Sequence, residues 1–146
     1  MIEKTLVKLI AYWHKKLHIN EFIICKKFHI KKWEGFIQYN STTNQYMFNY
    51  NLKLLKNKKK KEIIMFILHE LGHIYYDTYK LHNKIKGKIE SEYLAEKFAI
   101  ENAQKYCHYK NLLRFKEELK DKKWCKKYPN HAFAFKKLYK KLGGIK

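Results

Sequence analysis

The sequence has few of the residues that break a chain or cross-link it. Only one of its 146 residues is proline and only five are glycine, and no Pro- or Ser-rich linker appears. The three cysteines are odd in number, and no pair has the spacing of a redox motif or a zinc ribbon. These absences exclude a disulfide-stapled scaffold. They predict one folded domain over residues 1–146, with buried thiols in a reducing compartment.

Long apolar runs are also absent. The longest unbroken run near the middle of the chain covers residues 63–68, far short of the roughly 20 residues that a membrane span needs. The apolar stretch at residues 9–13 is too short for a signal peptide, and no small-residue cleavage site follows it. We therefore expect a protein that does not enter a membrane and resides in the cytoplasm.

Acidic residues and arginine are scarce. Lysine and arginine total 33, of which only Arg114 is arginine, and 13 acids leave a net charge of +20. Residues 62–101 hold seven of those acids and five lysines, so the rest of the chain carries +22. Carboxylates gathered in one segment suit a cation site. Two explanations of the basic remainder stay open: a lysine-rich composition that aids solubility, or nucleic-acid contact, for which more arginine is expected.

The order of apolar patterns predicts an α+β protein. Residues 2–17 carry apolar side chains at helical spacing, and residues 22–25 form a short β-prone run. Two further β-prone arms, residues 35–39 and 46–52, flank the turn-forming residues 40–44. A small, mainly antiparallel sheet is therefore expected after the first helix.

Helical patterns dominate the rest of the chain. The lysine-rich residues 56–61 are predicted to connect the sheet to a core helix, or alternatively to form a basic edge that recruits an acidic partner. Four helices are predicted, over residues 63–79, 89–106 and 112–119 and from Pro129 to a stop at Gly143. Residues 80–88 are predicted to form the loop between the first two of them.

The core helix carries the segment His69-Glu70-Leu71-Gly72-His73. Spacing i, i+4 places both imidazoles on one helix face, where they can reach one ion. Glu70 is rotated by about 100° from His69 along the helix, so it can approach a metal-bound water without being a ligand. This arrangement predicts a zinc site, one ion per chain, in which Glu70 acts as the catalytic base.

A catalytic zinc ion takes three protein ligands and keeps one position open. No third histidine lies at the spacing that a His-rich extension of the motif would need. Glu92, 19 residues after His73 on the next predicted helix, is the candidate third ligand. Glu96 lies one turn later on the same face and suits a carboxylate that orients a histidine ligand through its free ring N–H.

These segments resemble the ImmA/IrrE family of zinc metallopeptidases. The resemblance is specific over residues 63–99, through IIMFILHELGHIYY and EYLAEKFA, and extends to most of the chain in layout. It implies a single zincin-like domain with His69, His73 and Glu92 as ligands. Glu96 departs from the family, which usually has Asp or Asn there, so the contact is one methylene longer.

The resemblance implies limited proteolysis of a protein substrate inside the cell, such as a transcriptional repressor of a mobile element, a phage or a stress response. Zincin-like enzymes bind an extended peptide along a sheet edge, for which the 46–52 arm is the candidate. By residue type, the candidates for stabilising the oxyanion are Tyr75, Tyr76, His108 and His131.

Two other functions stay open. One is a zincin-like protein that binds nucleic acid or protein and has lost its peptidase activity or keeps it as a secondary role. The other is an SprT-like protease for DNA–protein crosslinks, a class that usually supplies a third histidine ligand. Glu92 argues against this second alternative.

Overall fold

The computed structural model describes residues 3–29, 33–76, 87–110 and 112–143. They form six α-helices and a three-stranded sheet, which confirms the expected α+β class. Their buried hydrophobic side chains make one cluster that runs from the first helix to the last. Within these ranges, no helix has the length and hydropathy that crossing a membrane requires.

The first helix, α1 (Glu3–Lys16), follows the predicted amphipathic pattern. It buries Leu6, Ile10 and Trp13, which lie four and three residues apart and therefore share one face. The opposite face is exposed and rich in lysine. The helix prediction over residues 2–17 is thus confirmed within about one residue at each end.

The sheet contains β1 (Ile23–Lys27), β2 (Gly35–Asn40) and β3 (Gln45–Tyr50), in the order β1-β3-β2. The predicted hairpin is confirmed, because β2 and β3 pair antiparallel. The expectation of a mainly antiparallel sheet is wrong, since β1 pairs with β3 in parallel. Parallel pairing needs a long crossover connection. Here the crossover contains β2 itself.

Strand β3 is the central strand, and this corrects the expected position of the substrate-binding edge. Tyr46, Phe48 and Tyr50 are each at most 4% exposed. The backbone of β3 is hydrogen-bonded to a neighbour on both sides. The 46–52 arm therefore offers no free edge to a peptide, and the edge strands are β1 and β2.

A short helix, α2 (Leu52–Leu55), follows β3 and was not expected from the sequence. The side-chain oxygen of Asn51 accepts a hydrogen bond from the backbone N–H of Leu54 at 3.4 Å, which is an N-cap. This cap ends the strand at Tyr50, two residues earlier than the apolar pattern predicts.

Helix α3 (Lys60–Tyr75) is the core helix. It begins where the Glu62 carboxylate accepts a hydrogen bond from the Lys59 backbone N–H at 2.8 Å. Residues 63–72 are all buried. Phe66 meets Phe48 of the sheet at 5.7 Å between ring centroids. The predicted helix is confirmed up to the limit of the described residues.

Helix α4 (Gly87–Cys107) packs along α3 and matches the predicted 89–106 helix closely. The predicted end of α3 near residue 79, and most of the predicted 80–88 loop, lie outside the described residues. Residues 87 and 88 belong to α4 rather than to a loop.

The predicted helix over residues 112–119 is wrong. The segment consists of turns and a short 3₁₀ helix, Glu118–Lys120. Arg114 is hydrogen-bonded to buried Glu96, and the Phe115 ring stacks on Phe135 at 4.5 Å. These tertiary contacts outweigh local helix propensity.

Two helices complete the chain. The first, α5 (Lys122–Lys127), was not predicted; it begins at Asp121, whose carboxylate accepts from the Lys123 backbone N–H at 2.9 Å. The second, α6 (Pro129–Lys141), starts with proline in its first turn, as expected for a residue without an N–H. This last helix packs against α4 and agrees with the sequence prediction.

Helices α3 and α4 approach closely because small residues line their contact. Ala95, Ala99 and Ala103 are completely buried on α4. A Cβ atom added to Gly72 of α3 would lie 3.1 Å from the Cα and carbonyl oxygen of Ala95. The contact therefore has no room for larger side chains.

Ala95→Leu should destabilise the protein by about 1–3 kcal/mol, because the added atoms force α4 away from α3. The matched control is Ala11→Leu on the exposed face of α1, which should change stability by no more than about 0.5 kcal/mol. Urea unfolding followed by circular dichroism measures both values. Equal effects of the two substitutions would contradict the close packing.

Candidate metal centre

Helix α3 presents His69 and His73 on one face, one turn apart. Their rings lie 4.9 Å apart between centroids and almost perpendicular. His69 is buried, whereas His73 is partly exposed. The helix thus supplies two imidazoles side by side, one of them reached from solvent.

Helix α4 brings the third donor. One carboxylate oxygen of Glu92 lies 3.1 Å from Nε2 of His69, and the other lies 3.3 Å from Nε2 of His73. Ligand atoms of these three residues all fall within 4.8 Å of one another, close enough to bind a single metal ion. The structure therefore brings together the three ligands that the sequence predicts.

The other ring nitrogens of the two histidines also have partners. Nδ1 of His69 lies 3.2 Å from a carboxylate oxygen of Glu96, and Nδ1 of His73 lies 3.0 Å from the Ser91 hydroxyl. A histidine whose Nδ1–H donates to such a partner keeps its Nε2 lone pair for a cation. Glu96 thus lies where the sequence predicts. Ser91 was missed, although it directly precedes Glu92.

Arg114 completes this network and was also missed. Its Nε lies 3.1 Å from one oxygen of Glu96 and its Nη2 lies 3.2 Å from the other. Glu96 is completely buried, and burial alone would raise its pKa. Arg114 and then His69 outweigh that effect and hold the pKa of Glu96 below its ordinary value. The only arginine among 33 basic residues was the available signal.

The charge of the cluster favours a bound cation. Burial would lower the pKa of His69, but hydrogen bonds to Glu92 and Glu96 outweigh it and raise that pKa to about 10. The two histidines in turn outweigh burial at Glu92 and lower its pKa. Two ionised carboxylates beside two imidazoles therefore stabilise positive charge, which a divalent metal ion supplies.

Glu70 lies beside the cluster but outside the three-ligand group. It is only 7% exposed, and burial raises its pKa, while His69 and His73 act in the opposite direction. Being next to His69 on the helix, it points about 100° away from that ligand. This is the position expected for a base that serves the site without binding the ion.

The structure brings one of the oxyanion candidates to the cluster. His131 of α6 places its Nε2 3.5 Å from a carboxylate oxygen of Glu92, and its side chain is 44% exposed. Burial lowers the pKa of His131. A neutral imidazole that faces both solvent and the cluster can donate an N–H to a bound molecule.

The remaining candidates are two tyrosines of the α3 segment that contact α4, and His108. Tyr75 is two residues past His73, about 200° around the helix, and its ring packs on Phe98 of α4 at 4.9 Å between centroids. Tyr76 also packs on Phe98, at 6.2 Å. His108 follows the end of α4, 16 residues and about 24 Å along the axis from Glu92. The structure does not bring His108 to the cluster.

Replacing a residue that only orients a metal ligand weakens metal binding roughly 10- to 100-fold. Glu92→Ala should weaken Zn²⁺ binding by more than this, because it removes one of the three donors. Isothermal titration with Zn²⁺ measures the change. Glu101→Ala is the control, since Glu101 is an exposed carboxylate on the same helix. Unchanged zinc affinity in Glu92→Ala would remove Glu92 from the site.

Arg114→Met should destabilise the protein by about 3–5 kcal/mol, because it leaves the buried Glu96 carboxylate without its counter-charge. Combining it with Glu96→Gln should recover much of that loss, since the uncompensated charge is gone. Lys120→Met, at an exposed ion pair with Glu117, is the control and should cost less than about 1 kcal/mol. Chemical denaturation of the unmodified protein, of Arg114→Met and Glu96→Gln alone and combined, and of Lys120→Met gives the values, and strictly additive losses would count against the coupling.

Comparison with protein-family models, with curated proteins and with solved structures finds no match to this chain. The likeness to the ImmA/IrrE metallopeptidases therefore remains a prediction that rests on residues 63–99. What the described residues establish is an α+β protein in which two histidines and a glutamate from adjacent helices converge at one point.

Proposed function

We propose that this protein is a zinc-dependent endopeptidase that cleaves a protein substrate inside the cell. One observation carries the proposal: the donors of His69, His73 and Glu92 converge within 4.8 Å, with buried Glu70 beside them. The resemblance of residues 63–99 to the ImmA/IrrE family supports the same activity and a zincin-like fold.

The donor set suits zinc. Two imidazoles on one helix and one carboxylate from the next make three ligands, and a catalytic zinc site keeps its fourth position open. Hydrogen-bond partners that can orient the histidines are also present, in Glu96 and Ser91. A zinc ion held here would supply Lewis-acid polarisation of a water molecule and of the scissile carbonyl group.

Glu70 is the proposed general base. Its carboxylate takes a proton from the attacking water and returns it to the leaving amine, as a single buried carboxylate can do in both steps. Burial that raises its pKa makes it a stronger base than an exposed glutamate. Its position next to His69, yet outside the ligand group, keeps it free for this role.

His131 is the proposed oxyanion stabiliser. Its Nε2 lies 3.5 Å from Glu92, so a carbonyl group bound at the centre comes within reach of its N–H. A preorganised donor of this kind stabilises the negative charge that develops in the transition state. Its exposure leaves room for a peptide to enter beside it.

Strand β2 is the proposed substrate edge, in place of β3. It is the edge strand that lies against α3, where Gly35 packs so closely that a Cβ atom would fall 2.5 Å from the Phe66 ring. Phe66 is one turn before Glu70 on the same helix. An extended peptide that adds to β2 by backbone hydrogen bonds would therefore run toward the metal centre.

The proposed substrate is a regulatory protein, such as a transcriptional repressor, and the proposed location is the cytoplasm. The three cysteines, Cys25, Cys107 and Cys125, are all unpaired, which suits a reducing compartment. Recognition through one edge strand favours a few defined cleavage sites over general degradation.

Glu70→Gln should retain zinc and lower the cleavage rate by about 10²- to 10⁴-fold, because the amide cannot accept the water proton. Cleavage of a quenched fluorescent peptide library by the zinc-loaded protein measures the rate, and metal analysis measures zinc. Full activity in the variant would exclude Glu70 as the base. If the unmodified protein retains no zinc, the proposed function itself fails.

His131→Phe should lower kcat by about 10²- to 10³-fold, with zinc content and KM little changed, because the lost donor acts in the transition state. His108→Phe is the matched control, since that histidine lies just past the end of α4, far from Glu92, and the substitution should leave kcat unchanged. A drop confined to KM would instead assign His131 to substrate binding.

A further inference from the structure

One face of the sheet points away from the helical core. Phe48 on β3 faces α3, so its strand partners Cys25 and Ile37 face the same way. Alternation along each strand turns the residues between them to the opposite side. We call that side the outer sheet face. Its members are Phe22, Ile24, Lys26, Phe28, Phe36, Gln38, Asn40, Gln45, Met47 and Asn49.

The outer sheet face exposes large apolar side chains. Phe22, which directly precedes β1, is 75% exposed, and Ile24 within β1 is 48% exposed. Trp33, which packs on Phe36, is 49% exposed. Rings left in water on a regular surface indicate a site for a partner.

The rings on this face are held in place. Phe28 and Phe36 meet edge to face at 4.9 Å between centroids, and Trp33 meets Phe36 at 5.8 Å. Beneath them Asn49 is only 2% exposed, and its amide donates to the Phe36 carbonyl at 3.3 Å and to the Gln38 side chain at 3.2 Å. The aromatic surface is therefore preorganised.

The charge around these rings is positive. None of the ten outward positions is acidic, and Lys26 lies between Ile24 and Phe28 on the same side. Glu34, the neighbour of Trp33 in the chain, is paired with Lys58 at 2.9 Å, so its negative charge is offset. A partner of this face is therefore expected to be negatively charged.

We propose that the outer sheet face binds single-stranded nucleic acid. Unpaired bases stack on exposed aromatic rings while lysines contact the phosphates, and this pairing of ring and charge is what such a ligand requires. A second copy of the chain would bring another net charge of +20 to the same surface, which opposes self-association. In a duplex the faces of the bases are hidden, so a duplex would contact the lysines through its phosphates but would not stack on the rings.

The proposed site is separate from the metal centre. His69 lies on α3, on the other side of the sheet from Phe22 and Trp33, because the inward residue Phe48 contacts that helix. Binding to the outer sheet face therefore does not require zinc or Glu70, and it holds even if the proposed peptidase activity fails.

Fluorescence anisotropy of a labelled 20-nucleotide oligo(dT) with the full-length protein tests the proposal. Phe22→Ala and Trp33→Ala should each weaken binding by about 5- to 100-fold, the usual effect of losing one stacking ring. The control is Phe133→Ala, because Phe133 is 59% exposed on α6, away from the sheet, and should leave affinity unchanged. Lys26→Gln should make the plot of log affinity against log salt concentration less steep, by about the slope that one phosphate contact contributes.

Three outcomes would overturn the proposal. Equal affinity in the Phe22, Trp33 and Phe133 variants would mean that the rings do not bind bases. A duplex of the same length that binds as tightly as the single strand would reduce the interaction to charge. Equally strong competition by polyglutamate would assign the face to an acidic protein instead. Circular dichroism of each variant confirms that it is folded, as expected for changes at exposed side chains.

Discussion

The buried carboxylate of Glu96 constrains both the fold and the candidate centre. Glu96 lies on α4, where its carboxylate contacts His69 of α3 on one side and Arg114 on the other. A charge without water is tolerated only where partners surround it. Glu96 thus ties the His69 ring of α3 and the irregular segment that carries Arg114 to α4.

The sequence is most informative where the chemistry is local. His69 and His73 belong to one helix, so their shared face follows from helical periodicity alone. Glu92 is on another helix, but the acidic segment and the resemblance to a known family indicated it. The apolar periodicities of α1, α3, α4 and α6 were equally direct, because each helix buries one continuous set of positions.

Contacts between distant segments could not be predicted in the same way. Pairing β1 with β3 rather than with β2 depends on which strand becomes the central one, and no short-range pattern encodes it. Residues 112–119 have helical spacing, yet Arg114 and Phe115 gain more from Glu96 and Phe135 than from a regular helix. Arg114 was visible as the only arginine, but its partner became apparent only in three dimensions.

The three candidate ligands come from two helices that are separated along the chain by residues 76–86. An ion bound between His69, His73 and Glu92 would therefore cross-link positions that are distant in the sequence. Because only the folded chain assembles all three donors, the free energy of binding adds to the free energy of unfolding. A metal ion bound there would thus raise the folded share of the protein, and its removal would lower that share.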